Sequence, residues 1–209
     1  MTRSSWERWA VGVGVAALCG AGLLAELGAY LWAWPANATE FFSLSYEHNL
    51  PTWASSALLL LVSLALGDTA RSARQQRGAW WALCILFALM SLDEALELHE
   101  HLGTLVRGRG VLYFSWVIPA GIVVALIGLA FVPFLARLEP LHRRRFVAAG
   151  VLYVGGALLM ELPLGWWAER AGDDNLVYGL LDWLEESLEL CGAGLFLLAV
   201  RERERAREP

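Results

Sequence analysis

The sequence predicts an all-α fold: a polytopic membrane bundle of six helices, one domain over residues 1–209. Three observations predict it. Hydrophobic residues make up 57% of the 209 and charged residues only 18%, with a mean hydropathy of +0.49. That composition leaves no room for a sizeable soluble domain. Windows of about 20 apolar residues, the length that crosses a bilayer core, recur along the chain. The arginines between those windows are strongly biased to one side.

The first window, near 9–34, follows Met1-Thr-Arg3 and runs past Cys19 to Trp34, broken only by Glu26. It is too long for a cleaved signal sequence, so a retained first helix is expected. The second, near 51–67, opens at Pro51, whose fixed φ suits a first helical turn. The others lie near 79–101, 112–135, 146–168 and 176–200. Turn and breaker residues mark the connections Trp34-Pro-Ala-Asn37, Arg107-Gly-Arg-Gly110 and Ala171-Gly-Asp-Asp-Asn175. Trp32, Trp34, Trp53, Trp116, Trp166, Trp167 and Trp183 fall near expected span ends, as an interfacial aromatic belt would. Gly155-Gly156 and Gly192-Ala-Gly194 permit close helix approach. Pro163 frees a backbone carbonyl near Glu161. Cys19, Cys84 and Cys191 lie inside apolar segments without metal-motif spacing and read as small core residues.

All 16 basic residues are arginines. The absence of lysine excludes a retinal or pyridoxal Schiff base and any lysine nucleophile. Arg3 and Arg8, then Arg71, Arg74 and Arg77, then Arg137, Arg143, Arg144 and Arg145, and finally Arg201, Arg203, Arg205 and Arg207 share one side. Only Arg107, Arg109 and Arg170 lie opposite. The positive-inside rule then makes both termini cytoplasmic in a bacterial-type inner membrane, consistent with an even number of crossings. The alternating tail Arg201-Glu-Arg-Glu-Arg reads as a solvated helix end at the headgroups. No basic groove is visible, so the lipid bilayer is the expected partner and nucleic acid is not.

The acids are the informative residues, because they lie inside the apolar windows. An ionised side chain near the bilayer centre costs roughly 2.5–3.5 kcal/mol on insertion scales. Yet Ser91-Leu-Asp-Glu-Ala-Leu-Glu-Leu-His-Glu-His101 and Leu181-Asp-Trp-Leu-Glu-Glu-Ser-Leu-Glu189 each carry several, and Glu161 stands alone in the fifth window. With the orientation above, all occupy outer halves of their helices, alongside Glu26, Glu40, Glu47 and His48. At about 100° per residue, Asp182, Glu185, Glu186 and Glu189 form one stripe roughly 100° wide, and Asp93, Glu94, Glu97, Glu100 and His101 form another of roughly 120°. His99 points away from the second stripe on a regular helix. Both stripes are expected to face the bundle interior.

Carboxylates crowded together share protons unless a cation compensates them. Inward Glu and His on facing helices are also how helical bundles build carboxylate-bridged metal sites. The candidate ligands are Asp93, Glu94, Glu97, His99, Glu100, His101, Glu161, Glu185 and Glu189. A carboxylate-rich set suits a divalent metal such as Fe, Mn, Mg or Ca, with Zn also open. Glu186 and Asp182 are candidate catalytic bases for metal-assisted oxidation or hydrolysis of a lipid-phase substrate. Two other classes stay open: a proton or divalent-cation transporter, and a non-catalytic subunit of a membrane complex. His142, in a basic cytoplasmic loop, is not expected at the site.

The Ser-Leu-Asp-Glu-x4-His-Glu segment at 91–100, with Leu-Glu-Glu-x2-Glu at 184–189, resembles a group of bacterial six-span membrane proteins. That resemblance implies a six-span fold and draws His99 and Glu100 into the site. The second span of that group often opens with Glu, where this chain has Pro51-Thr-Trp53, and Glu47 is the nearest substitute. The chain is also reminiscent of membrane hydrolases related to alkaline ceramidases, which hold zinc with histidines inside a helical bundle. Their seven spans and late His-x3-His pair have no counterpart here.

Overall fold

A computed structural model describes residues 3–98 and 108–205. They form seven helices and no strand: α1 (Arg3–Trp32), α2 (Ala36–Phe42), α3 (Leu50–Ser72), α4 (Arg77–Leu96), α5 (Val117–Ala136), α6 (Pro140–Ala171) and α7 (Leu176–Arg205). A single 3-10 turn, Gly110–Leu112, precedes α5. The short α2 lies in what the sequence suggests is an irregular loop.

Local chemistry sets the ends. Asn49 caps α3 by accepting from the Thr52 amide at 3.1 Å, with Pro51 in the first turn. Asn175 does the same for α7, accepting from the Tyr178 amide at 3.1 Å and donating to the Gly172 carbonyl at 2.9 Å. Gly172, at φ +77°, ends α6 in a conformation that a side chain would strain. α4 ends at Leu96, because Glu97 turns left-handed at φ 52°. The helix expected to run unbroken to residue 101 is therefore interrupted at Glu97, and the remainder of that window, His99 to His101, lies outside the described residues.

Five helices, α1 and α3 to α6, are long and apolar enough to cross a membrane. α7, the expected sixth, is long enough but too charged to stand among them. Its position explains the difference. α1, α3 and α6 all pack around α7 and cover much of its surface with protein. Close approach on two sides depends on small residues. A Cβ at Gly192 would lie 2.6 Å from the Tyr153 nitrogen on α6, and one at Gly194 would lie 3.2 Å from Val15 on α1.

α3 and α4 form the tightest pair, and serines hold it. The Ser56 hydroxyl donates to the Ser91 carbonyl and the Ser91 hydroxyl to the Ser56 carbonyl, both at 2.8 Å, while Ser63 donates to the Cys84 carbonyl at 2.8 Å. The hydrophobic core lies toward the arginine-rich end. There Trp80, fully buried, stacks edge-on to Phe134 at 4.7 Å, and Phe146 stacks on Phe196 at 4.5 Å. Arg203 lies over the Trp80 ring at 4.2 Å.

The charged tail is an intramolecular clamp, not a solvated end. Glu202 pairs with Arg145 of α6 and with Arg8 of α1 at 3.6 Å. Arg205 reaches Glu7 at 2.7 Å, and Thr69 of α3 donates to Glu204 at 3.0 Å. Trp183 also departs from the expected belt: its indole donates to the Cys19 carbonyl at 2.8 Å and ties α7 to α1.

Candidate functional site

α6 is irregular where it passes the acids. Gly155–Met160 is π-helical, directly before Glu161. Two glycines favour the irregularity, and Pro163 removes the amide that an α-helical bond to Leu159 would need. π-Helical turns concentrate at functional sites. This one brings Gly156 so near α7 that a Cβ there would lie 2.7 Å from the Glu185 carbonyl oxygen and 2.8 Å from Glu189 Cγ.

The acidic stripes of α4 and α7 meet on either side of this turn. Asp93 and Glu94 of α4, Glu161 of α6, Glu185, Glu186 and Glu189 of α7, and Glu47 from the loop after α2 all line one cavity of about 450 Å³. Glu185 and Glu189 are buried, at 8% and 9% exposure. Glu186 stands beside Glu94, Asp182, Glu185 and Glu189. The Tyr153 hydroxyl hydrogen-bonds the Glu189 carboxylate. Beyond Glu189 the cavity wall is apolar, passing Gly192 and Ala193 to a floor of Phe134, Phe146 and Phe196. One long wall is α5, of which Phe134 alone is buried.

A second cavity of about 490 Å³ adjoins the first and shares Glu47, Trp116, Glu161, Glu185 and Glu186 with it. Glu26, Asp173, Asp174 and Asp182 bring its carboxylates to eight, with Tyr30, Tyr46, Tyr113 and Tyr178 among them. No basic residue is among the described residues lining it. Glu26, 2% exposed, accepts from the Ser43 hydroxyl and abuts Gly179 of α7. Tyr30 donates to Asp174 at 3.3 Å. The Tyr46 hydroxyl is held above its ordinary pKa by burial first, then by Glu26, Glu40 and Asp174.

Of the residues expected at the site, Asp93, Glu94, Glu161, Asp182, Glu185, Glu186 and Glu189 are brought together. Glu97 is not among the described residues lining either cavity: the left-handed turn directs it to His48, whose Nδ1 lies 2.8 Å from its Oε1. The helical projection that grouped it with Asp93 assumes a helix that has already ended. His99, Glu100 and His101 lie outside the described residues. His142 sits at the arginine-rich end, 3.5 Å from Glu139. Among the described residues, no three of His, Cys, Asp and Glu are placed to hold a metal ion together. Tyr153 and the vestibule tyrosines lie outside the set that sequence points to; for Tyr153 the available signal is its place two turns before Glu161.

Fold and site together define a class: an all-helical protein with several membrane-length apolar helices and a carboxylate-walled cavity between them. The chain belongs to the DUF8692 family, a domain of unknown function, whose profile matches residues 15–202. No curated protein and no solved structure matches it.

Proposed function

We propose that this is a six-crossing inner-membrane protein, both termini cytoplasmic, that binds a lipid-phase molecule between α4, α5, α6 and α7 and acts on its polar end at the carboxylates. The single observation that carries the reading is adjacency: an apolar cavity floored by phenylalanines and a polar one have Glu161, Glu185 and Glu186 as common wall residues. A ligand site of this size, apolar with a few converging polar groups, is the common form of a small-molecule pocket. α7 is the sixth crossing, its acids turned to the cavities and its other faces covered by neighbouring helices.

Glu186, in the wall common to both cavities, and Asp182, in the lining of the second, are the proposed acid–base groups. The crowded carboxyls Glu94, Glu185, Glu186 and Glu189 call for shared protons or a cation to compensate them; since no three of the described ligand residues are placed to hold a metal together, the divalent cation proposed there would be held largely through water. Conduction is less favoured, since the wall from Glu189 to the floor is Gly192, Ala193 and Phe196, with no polar relay toward the arginine-rich end among the described lining residues.

The test is extraction of the full chain into lipid nanodiscs, followed by mass spectrometry of bound organic molecules and elemental analysis. A chain-bearing molecule and a divalent metal in near-stoichiometric amounts are expected. A preparation that holds neither, and takes up neither when supplied, overturns the reading.

A further inference from the structure

At the arginine-rich end, positive charge is left over around the α3–α4 and α5–α6 connections. Segments 68–77 and 137–145 hold only two acids, Asp68 and Glu139. Arg71 takes the first at 2.7 Å and His142 the second at 3.5 Å, while Arg145 is held by Glu202. Arg74, Arg77, Arg137, Arg143 and Arg144 are exposed, and no acid among the described residues pairs with them.

Three of the five converge. The Trp80 ring of α4 meets Phe134 of α5 at 4.7 Å and Phe146 of α6 at 6.0 Å. Arg77 lies three residues before Trp80, Arg137 three after Phe134 and Arg143 three before Phe146. Residues three apart share a helix face, so three helix ends each set an arginine one turn outside the same aromatic cluster. Arg144, two residues from Phe146, falls roughly 200° round the helix from it.

Guanidinium forks suit phosphate oxygens. The neighbouring surface is apolar: Leu126, Leu129 and Val132 of α5 are each more than half exposed. A free anion makes no use of that surface, whereas a phospholipid uses both. A head carrying its own ammonium group would set that charge beside the arginines, so a net negative head is favoured.

We propose that Arg77, Arg137 and Arg143 bind the phosphate of an anionic phospholipid whose chains lie along α5. The proposal rests on the membrane reading above and is independent of what the carboxylate-lined cavity holds.

The experiment is native mass spectrometry of the full chain in detergent, titrated with phosphatidylglycerol and, separately, with phosphatidylcholine of the same chains. The parent should retain phosphatidylglycerol at least about tenfold more strongly. Each of Arg77→Gln, Arg137→Gln and Arg143→Gln should weaken it about fivefold and leave phosphatidylcholine unchanged, and the triple variant should lose the preference. Arg74→Gln with Arg144→Gln, the control, should change it less than about threefold. A control that loses as much as the triple variant, or single variants that lose nothing, would make the attraction diffuse and overturn the site. Inorganic phosphate that displaces phosphatidylglycerol at an ionic strength where chloride does not would assign the arginines to a free anion and overturn the lipid. Equal retention of the two lipids by the parent overturns the proposal and leaves the membrane reading standing. A full chain that stays monodisperse in buffer without detergent or lipid overturns both.

Discussion

Single atoms at the π-helical turn decide how closely α6 and α7 approach. Gly156 has backbone and the Glu189 stem within 2.8 Å of where a Cβ would stand, whereas Gly155 has nothing within 4 Å. Gly156→Ala is therefore expected to destabilise by about 1–3 kcal/mol, the cost of overpacking. Gly155→Ala should be neutral or stabilising by up to about 1 kcal/mol through helix propensity. The melting temperature should fall for Gly156→Ala and hold or rise for Gly155→Ala, and equal shifts would mean that α6 and α7 are not in contact there. The buried carboxylate Glu185 gives a second prediction with a definite sign. If a divalent cation compensates it, Glu185→Gln lowers metal content and melting temperature together, and chelator mimics the change in the parent. If protons compensate, the same substitution is neutral or stabilising and chelator does nothing. Metal content and melts with and without chelator separate the two.

Among the elements, α7 and the α3–α4 pair carry the architecture. α7 is the most polar of the long helices and the one most enclosed, which reconciles its carboxylates with an apolar molecule. The α3–α4 pair is closed by reciprocal serine bonds, and interhelical hydrogen bonds of this kind contribute on average about 0.6 kcal/mol. Ser91→Ala should cost about that much, because Ser56 still donates to the Ser91 carbonyl. A loss above about 2 kcal/mol in reversible unfolding would show that the pair works as one cooperative unit. α5 differs from both. It packs lightly, chiefly against the π-helical turn of α6, and its weak attachment leaves the space that the apolar cavity occupies.

Over the whole molecule, charge is divided between the two ends of the bundle. The arginine-rich end holds the aromatic core and the clamp of Glu202, Glu204 and Arg205, and the opposite end holds the two acidic cavities. In a membrane this division predicts one orientation. A reporter active only outside the cytoplasm should be silent after Pro209 and active when inserted at Asp173. The reverse pattern, or activity at both places, would overturn six crossings with cytoplasmic termini.

The all-helical class, the approximate positions of the long helices and the acid-bearing face of α7 were legible in the chain, because each depends on local properties: apolar length, breaker residues and a period of 3.6; the count was not, since the described residues form seven helices rather than six and five of them are long and apolar enough to cross a membrane. The grouping of Asp182, Glu185, Glu186 and Glu189 on one face follows from spacing alone. Other features depended on neighbours distant in sequence. Glu97 leaves its stripe because the helix stops one residue earlier, at Leu96, and no residue pattern there announces the stop. The tail's alternating charges look solvent-facing until Arg8, Arg145 and Glu7 arrive beside them. Gly156 was legible as a site of close helix approach, but its partner on α7 was not, and Tyr153 gains its importance only from the Glu189 carboxylate beside it. Sequence determined which segments are helices and which faces are polar; only the tertiary structure decided which polar faces meet and where space is left between them, since packing is a property of pairs of helices and not of any one.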